Sequence, residues 1–201
     1  MHALSSMSSC TDAHLERELP VIAANLHNLM LPRQCQIWCT LKPEYSDTKL
    51  RYVLGGGMLG RMCLSGAITA LSPEQWSIVE RAMDFYEHIK GVIKKGTSAF
   101  WPCHSLSRRH LRGGLVLRRC SHDGNAAILY FFVFDEPPAE LVAELPSGDW
   151  RLADYFGEGA FEAGAAGCVF RPAAAWSCYI ALMEKKKKSD GADSPSRKGL
   201  A

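Results

Sequence analysis

Apolar residues recur along this chain with two different periods, and the change from one to the other falls near residue 97. Trp76, Val79, Met83, Tyr86, Ile89 and Ile93 step by three and four, while Glu80, Glu87, Lys90 and Lys94 lie largely elsewhere. This pattern predicts one long amphipathic helix. Its start is marked by Ser72, Pro73 and Gln75: a cap, a first-turn proline and the third-position glutamine of a capping box. Its end is marked by Lys94 and Lys95 against the helix dipole and by Gly96, read as a left-handed C-cap. A short apolar strand, Arg61 to Leu64, precedes the helix and turns at Ser65-Gly66, where glycine suits a sharp bend or a ligand's close approach. Strand and helix together form a β-to-α unit.

The same reading extends upstream. Leu15, Leu19, Ile22, Leu26 and Met30 keep helical spacing between Ala13 and Met30, with Pro20 interrupting, so two shorter helices or a kink are expected. Cys35, Ile37, Cys39 and Leu41 then alternate with Gln34, Gln36, Trp38 and Thr40, a strand bounded by Pro32 and Pro43. Residues 44–49 read as a polar connection, and LRYVLGGGML at 50–59 as a short glycine-weakened helix or a close-packing turn. Helix, strand, helix, strand, helix is the order of a parallel α/β sheet or a (β/α) barrel.

Beyond Gly96 the helical period is lost. SAFWPCHSLSRRHLRGG reads as a loop. LVLRRC and AAILYFFVF, joined by SHDGN, read as a β-hairpin, and ELVAELP, DWRLADYFGEG, GCVFRP and AAAWSCYIALM follow as short strands. An antiparallel sheet or sandwich of about six strands is expected. The fold class is therefore α/β plus all-β. Residues 1–98 carry the strand-helix units, 99–183 the antiparallel domain, and 184–201 a disordered basic tail.

Composition narrows the function classes. The 201 residues are 47% hydrophobic and 22% charged, with 23 basic and 21 acidic residues, a soluble globular profile. Several basic residues sit in the lysine run at 185–188, so the body is near neutral and offers no basic face for nucleic acid. Ala126 to Phe134 and Ala173 to Met183 are too short for a membrane span of about 20 residues. The first residues lack the basic start and apolar middle of a signal peptide, which favours a cytoplasmic address if Met1 is the natural start. Eight cysteines occur without a C-x-x-C pair, which favours reduced structural thiols. The histidines show no metal-ligand spacing, so neither metal nor cofactor is expected.

In order, VIAANLHNLMLPRQCQIW, GRMCLSGAITALSPEQWSIVERAMDFYEHIKGVIKKG and the β-region ending in AAWSCYIALM resemble the C-terminal part of α-galactosidase (melibiase)-type glycoside hydrolases, over roughly residues 10–183. The resemblance implies the last strands of a (β/α)8 barrel of the TIM type followed by an antiparallel β-sandwich. It also implies retaining hydrolysis of a terminal α-galactoside or similar sugar through two carboxylates about 5 Å apart. The nucleophile of such enzymes falls upstream of the stretch matched here. Asp12, in SSCTDAHLERELP, is the candidate general acid/base, although Thr11 precedes it where relatives carry Ser, and a differently placed gap puts Ser9 there.

Arg17, after that Asp, is implied to bind substrate hydroxyls, and Ser65 and Gly66 to lie at a strand end on the active-site face. Ala67 stands where relatives often carry Asp. Read from the residues alone, Asp12 is a helix N-cap, Arg17 a solvated helix residue and Ser65-Gly66 a tight turn. Trp38 is either core or a stacking platform for a sugar. The expected partner is an α-galactoside-like carbohydrate, and the chain is expected to be inactive alone and to self-associate through an exposed barrel edge. The alternative is a non-catalytic carbohydrate-binding or accessory module.

Overall fold

The computed structural model describes residues 7–9, 15–103, 110–164 and 167–186. Three parallel strands come first in the chain: β1 (Ser8–Ser9), β2 (Cys35–Leu41) and β3 (Arg61–Gly66), in the order β1-β2-β3. Between β1 and β2 lies helix α1 (Leu19–Leu26), with Pro20 in its first turn and a 3-10 turn, Glu16–Glu18, ahead of it. Pro20 thus divides the helical stretch as expected. α2 (Asp47–Gly57) follows β2, and α3 (Pro73–Lys95) follows β3 after a 3-10 turn at Ile68–Ala70. Adjacent parallel strands with a helix after each are what the alternation of periods called for.

α2 begins inside the stretch expected to be a polar connection. Ser46 caps it by accepting from the Lys49 N–H, so residues from Asp47 onward are already helical. Its last turn, Gly55-Gly56-Gly57, is both helix and close-packing element. A Cβ on Gly55 would meet Cys178 Sγ at 2.7 Å, and one on Gly57 would meet Cys39 Sγ at 2.1 Å.

α3 has the full capping box: Ser72 Oγ accepts from Gln75 N–H, and Gln75 Oε1 accepts from Ser72 N–H. Two expectations about this helix are corrected. Gly96 is extended rather than left-handed (φ −79°, ψ 178°); glycine is needed there because a Cβ would lie 2.4 Å from the Cys120 carbonyl oxygen. The buried stripe is also rotated. Ile78, Ala82, Phe85 and Val92 join Val79, Ile89 and Ile93 inside, whereas Met83 is exposed and Trp76 and Tyr86 are half-buried. The reason is that α3 packs chiefly on the antiparallel sheet, with Phe85 stacked on Phe156, while Tyr86 reaches aside to donate to the Gly60 carbonyl.

The remainder is antiparallel. A five-stranded sheet has the order β4-β5-β6-β11-β8, formed by β4 (Thr97–Cys103), β5 (Gly114–Cys120), β6 (Ala126–Val133), β8 (Trp150–Gly157) and β11 (Cys178–Lys185). A three-stranded sheet has the order β7-β10-β9, from β7 (Leu141–Ala143), β9 (Ala160–Gly164) and β10 (Gly167–Arg171). The expected hairpin is β5-β6. Among the described residues eight antiparallel strands stand where about six were expected. β4 was read as a loop because of Pro102, which is tolerated as β4 is an edge strand. β9 is short and mostly exposed, without an apolar alternation to announce it.

β6 explains how the layers stack. Ala127, Leu129, Phe131 and Val133 join Leu141, Cys168 and Phe170 of the small sheet in one core, while Ile128, Tyr130, Phe132 and Phe134 join the helices in another. A strand covered on both faces reads as an unbroken apolar run, which is how AAILYFFVF appears. The helix-side core includes both parallel-strand and antiparallel-strand residues, and Tyr130 donates to the Met58 carbonyl across it. Glu184 and Lys185 end β11, so strand replaces the start of the expected tail; residues 187–201, where the rest of that tail was placed, lie outside the described residues. Cys39, Cys63, Cys120, Cys168 and Cys178 are free thiols. Among the described residues no helix is long and apolar enough to cross a membrane.

Candidate functional site

Side chains of paired residues in neighbouring parallel strands point to the same side of the sheet. Ser9 pairs with Gln36, Gln36 with Arg61, Trp38 with Cys63 and Thr40 with Ser65, so all seven side chains share one face. The opposite face, with Ile37, Cys39 and Leu41, is in the core. The shared face is half-buried to exposed throughout. Alternation in the β2 sequence has thus sorted apolar from polar, and the one large aromatic on the polar side is Trp38, 38% exposed.

Side-chain contacts between neighbouring strands hold this face in place. The Trp38 indole donates from Nε1 to Ser9 Oγ at 2.5 Å, and the hydroxyls of Thr40 and Ser65 lie 3.3 Å apart at the C-terminal ends of β2 and β3. Gly66 closes the strand end with φ +89°. A Cβ there would lie 2.3 Å from the Leu41 carbonyl oxygen, which accepts from the Ala67 N–H at 2.9 Å. Gly66 therefore makes a tight turn by close approach of backbone to backbone. Asp12 lies outside the described residues.

Arg17 belongs to different surroundings. Its guanidinium lies over the Trp176 ring, 5.6 Å from the centroid, and its carbonyl accepts from the Tyr52 hydroxyl at 2.8 Å. With Ser46, Thr48 and Lys49 these residues line a cleft of about 520 Å³ between the 3-10 turn at Glu16–Glu18, the start of α2 and the segment before β11. The structure brings Trp38, Ser65 and Gly66 onto one pair of strands and sets Arg17 in this cleft.

The wall of the cleft is strongly organised. Burial pushes the Glu16 carboxyl up, but hydrogen bonds from Tyr45, its own backbone and Lys42, with the Lys49 charge, outweigh it and hold the group at about 2. Glu16 Oε1 accepts from Tyr45 and Lys42, and Oε2 faces Lys49 at 3.6 Å. Trp176 sits at φ +54°, an unusual backbone for a bulky side chain, with its ring edge-on to Tyr52 and tilted against Phe134. Nothing in the periodicity marks Trp176, because it precedes the strand it serves; only the unpaired aromatic beside Pro172 and three alanines could have suggested it.

Elsewhere, half-buried His27 is held neutral at the edge of the core. Its Nε2–H donates to the Leu59 carbonyl (2.6 Å), and its Nδ1 lies 2.9 Å from Ser98 Oγ, which accepts from buried Arg119. Burial, aided by the Arg119 charge and opposed by the Leu59 bond, depresses its pKa to about 4. Among the described residues no three His, Cys, Asp or Glu side chains gather in a way that could hold a metal ion.

No protein-family model matches the sequence, and no curated protein does. Solved structures do. A variant of the GH36 α-galactosidase AgaA from Geobacillus stearothermophilus, in complex with raffinose, aligns over 88% of this chain and 25% of its own, with a TM-score of 0.67 and 11% identity. The galactosidase domain of the α-galactosidase-sucrose kinase AgaSK aligns over 88% and 26%, with a TM-score of 0.65 and 13% identity. An α-galactosidase from Lactobacillus brevis aligns over 86% and 26%, with a TM-score of 0.59 and 11% identity. The chain spans about a quarter of the length of the structures it matches. In fold it is similar to that quarter of GH36 α-galactosidases, a mixed arrangement of helices and mostly sheets consistent with a C-terminal part of such an enzyme.

Proposed function

We propose that this chain supplies the final strands of a (β/α) barrel and the antiparallel β-sandwich behind it, as part of a retaining glycosidase acting on terminal α-linked galactose or a similar sugar. The observation that carries this reading is the register of β2 and β3: parallel, a helix after each, with Trp38, Thr40 and Ser65 on the uncovered face and the strand ends closed at Gly66. In barrels of this kind the inner face and the C-terminal strand ends meet the substrate. The fold likeness to enzymes crystallised with raffinose and stachyose supports a galactoside as the ligand. In this reading Asp12 is the general acid/base, Trp38 stacks on a sugar ring, and Ser65 and the Gly66 backbone border the sugar hydroxyls.

Retention requires two carboxylates across the anomeric carbon. In this reading the chain contributes Asp12 but not the nucleophile, so the 201-residue chain alone is expected to hydrolyse no α-galactoside and, through its uncovered sheet face, to self-associate. An assay of the purified chain with a chromogenic α-galactoside tests this: turnover at the rate of a full-length α-galactosidase overturns it. Complementation by an upstream barrel segment that restores hydrolysis, lost again in Asp12→Asn, is the positive result.

One observation favours a second reading, a carbohydrate-binding module without hydrolysis. Among the described residues the uncovered face carries Ser9, Gln36, Trp38, Thr40, Arg61, Cys63 and Ser65, none of them a carboxylate. Binding of a galactoside by the chain alone, with no hydrolysis after complementation, selects this reading.

A further inference from the structure

We propose that the cleft between Arg17, the start of α2 and Trp176 binds a small carboxylate-bearing ring compound of monosaccharide size. The proposal is independent of the glycosidase reading, since it uses none of the residues on the parallel-sheet face.

Size and lining set the class of ligand. A cleft of about 520 Å³ is within the range occupied by small-molecule sites, and this one combines an indole and alanine side chains with hydroxyls from Ser46 and Thr48. Its charge is positive. Both oxygens of Glu16 are engaged by Tyr45, Lys42 and Lys49, so that carboxylate is spent on the wall. The Arg17 guanidinium lies over the Trp176 ring, 5.6 Å from its centroid, and has no carboxylate partner among the described residues. Arg17 is exposed, and its planar fork of N–H donors selects a planar carboxylate in bidentate geometry over a hydroxyl. Lys49 Nζ, 4.3 Å above the Tyr45 ring, sits on the same wall.

Trp176 supplies the second observation. A bulky residue in the left-handed region is strained and persists only where its surroundings impose it. Here the Ala174-to-Ser177 turn, closed by the Ser177 hydroxyl donating to the Ala174 carbonyl, presents the indole at the cleft while Tyr52 and Phe134 fix its edges. A ring held in this way is a preorganised apolar wall beside a cation. A carboxylate on a ring with an apolar face matches both parts, and a neutral sugar matches only one.

The test is NMR titration of the full chain, following the Trp176 indole N–H resonance assigned with Trp176→Phe. The probes are galacturonate, benzoate and galactose. Galacturonate is expected to shift that resonance saturably at millimolar concentration and galactose to leave it in place. Benzoate separates sources of the same chemistry: if it binds as well, any ring carboxylate is accepted, and if it does not, an acidic sugar is the ligand. Arg17→Ala should weaken binding roughly tenfold or more, and Arg17→Lys should recover only part, because an ammonium lacks the fork. Arg17 is exposed, so both variants should keep the parent's melting temperature. Absence of saturable binding of either acid, equal binding of galactose, or unchanged affinity in Arg17→Ala overturns the proposal.

Discussion

The Thr40 and Ser65 hydroxyls lie 3.3 Å apart at matched positions in β2 and β3, side by side on the face that also carries Trp38. If this face meets a galactoside, the pair and the indole should matter to ligand and little to the fold. Ser65→Ala combined with Thr40→Val is expected to weaken galactoside binding by roughly thirtyfold, from about 1 kcal/mol for each of the two hydrogen bonds lost. Trp38→Ala should weaken it further through lost stacking. Affinity electrophoresis in an α-galactoside gel reads both variants, with thermal melts as control; unaltered migration in both counts against the face as the sugar surface.

Gly66→Ala should be destabilising by about 1–3 kcal/mol, the scale of a strained backbone, because the new Cβ meets the Leu41 carbonyl and φ is +89°. Gly91→Ala is the matched control in α3. A Cβ there meets nothing within 4 Å, and alanine in a helix interior is favoured by about 1 kcal/mol. Urea unfolding midpoints should move in opposite directions for the two.

The capping box at the start of α3 gives a graded prediction. Ser72→Ala removes the bond to Gln75 N–H and should cost about 1 kcal/mol. Gln75→Ala should cost more, because its side chain also donates to the Pro43 and Tyr45 carbonyls and leaves those acceptors unpaired. Equal midpoints for the two variants would show that Gln75 serves only as a cap.

His27 sets a pH dependence. Its folded pKa is about 4 against an ordinary 6.5, so between these values the unfolded chain takes up a proton that the folded chain refuses. Stability from this group is complete above pH 6.5, falls by up to about 3 kcal/mol as pH drops towards 4, and falls no further below that. Glu16, held at about 2, acts in a lower window: its stabilisation is present above the ordinary 4.5 and is lost as pH falls through 2. Urea titrations at several pH values should show a slope between 6.5 and 4 that is reduced in His27→Gln.

Much of the fold could be read from residue periods because one period dominates each element. Cys35, Ile37, Cys39 and Leu41 face one core and nothing else, so β2 was plain, and the Ser72–Gln75 box is a local device that tertiary packing did not disturb. The errors arose where an element serves two neighbours. α3 touches the antiparallel sheet and the β3 side together, which turned its buried stripe away from Met83, and Gly96 is fixed by the Cys120 carbonyl far along the chain. The site was legible in part. Trp38, Ser65 and Gly66 follow from strand alternation, whereas pairing Arg17 with Trp176 depends on two segments about 160 residues apart meeting at one cleft, which no local pattern encodes.

The three glycines that end α2 have a mechanical consequence. On one side the bare backbone lies against Cys178 and Ile180 of β11, on another against Leu19 of α1, and on a third against Cys39 of β2 and Met62 of β3. Without side chains to act as cushions, this last turn works as a rigid shim whose thickness is that of the main chain itself. Any shift of β11 would be passed undamped to β2 and β3, so the strand ends at Thr40 and Ser65 keep their spacing only as long as the distant sheet keeps its place.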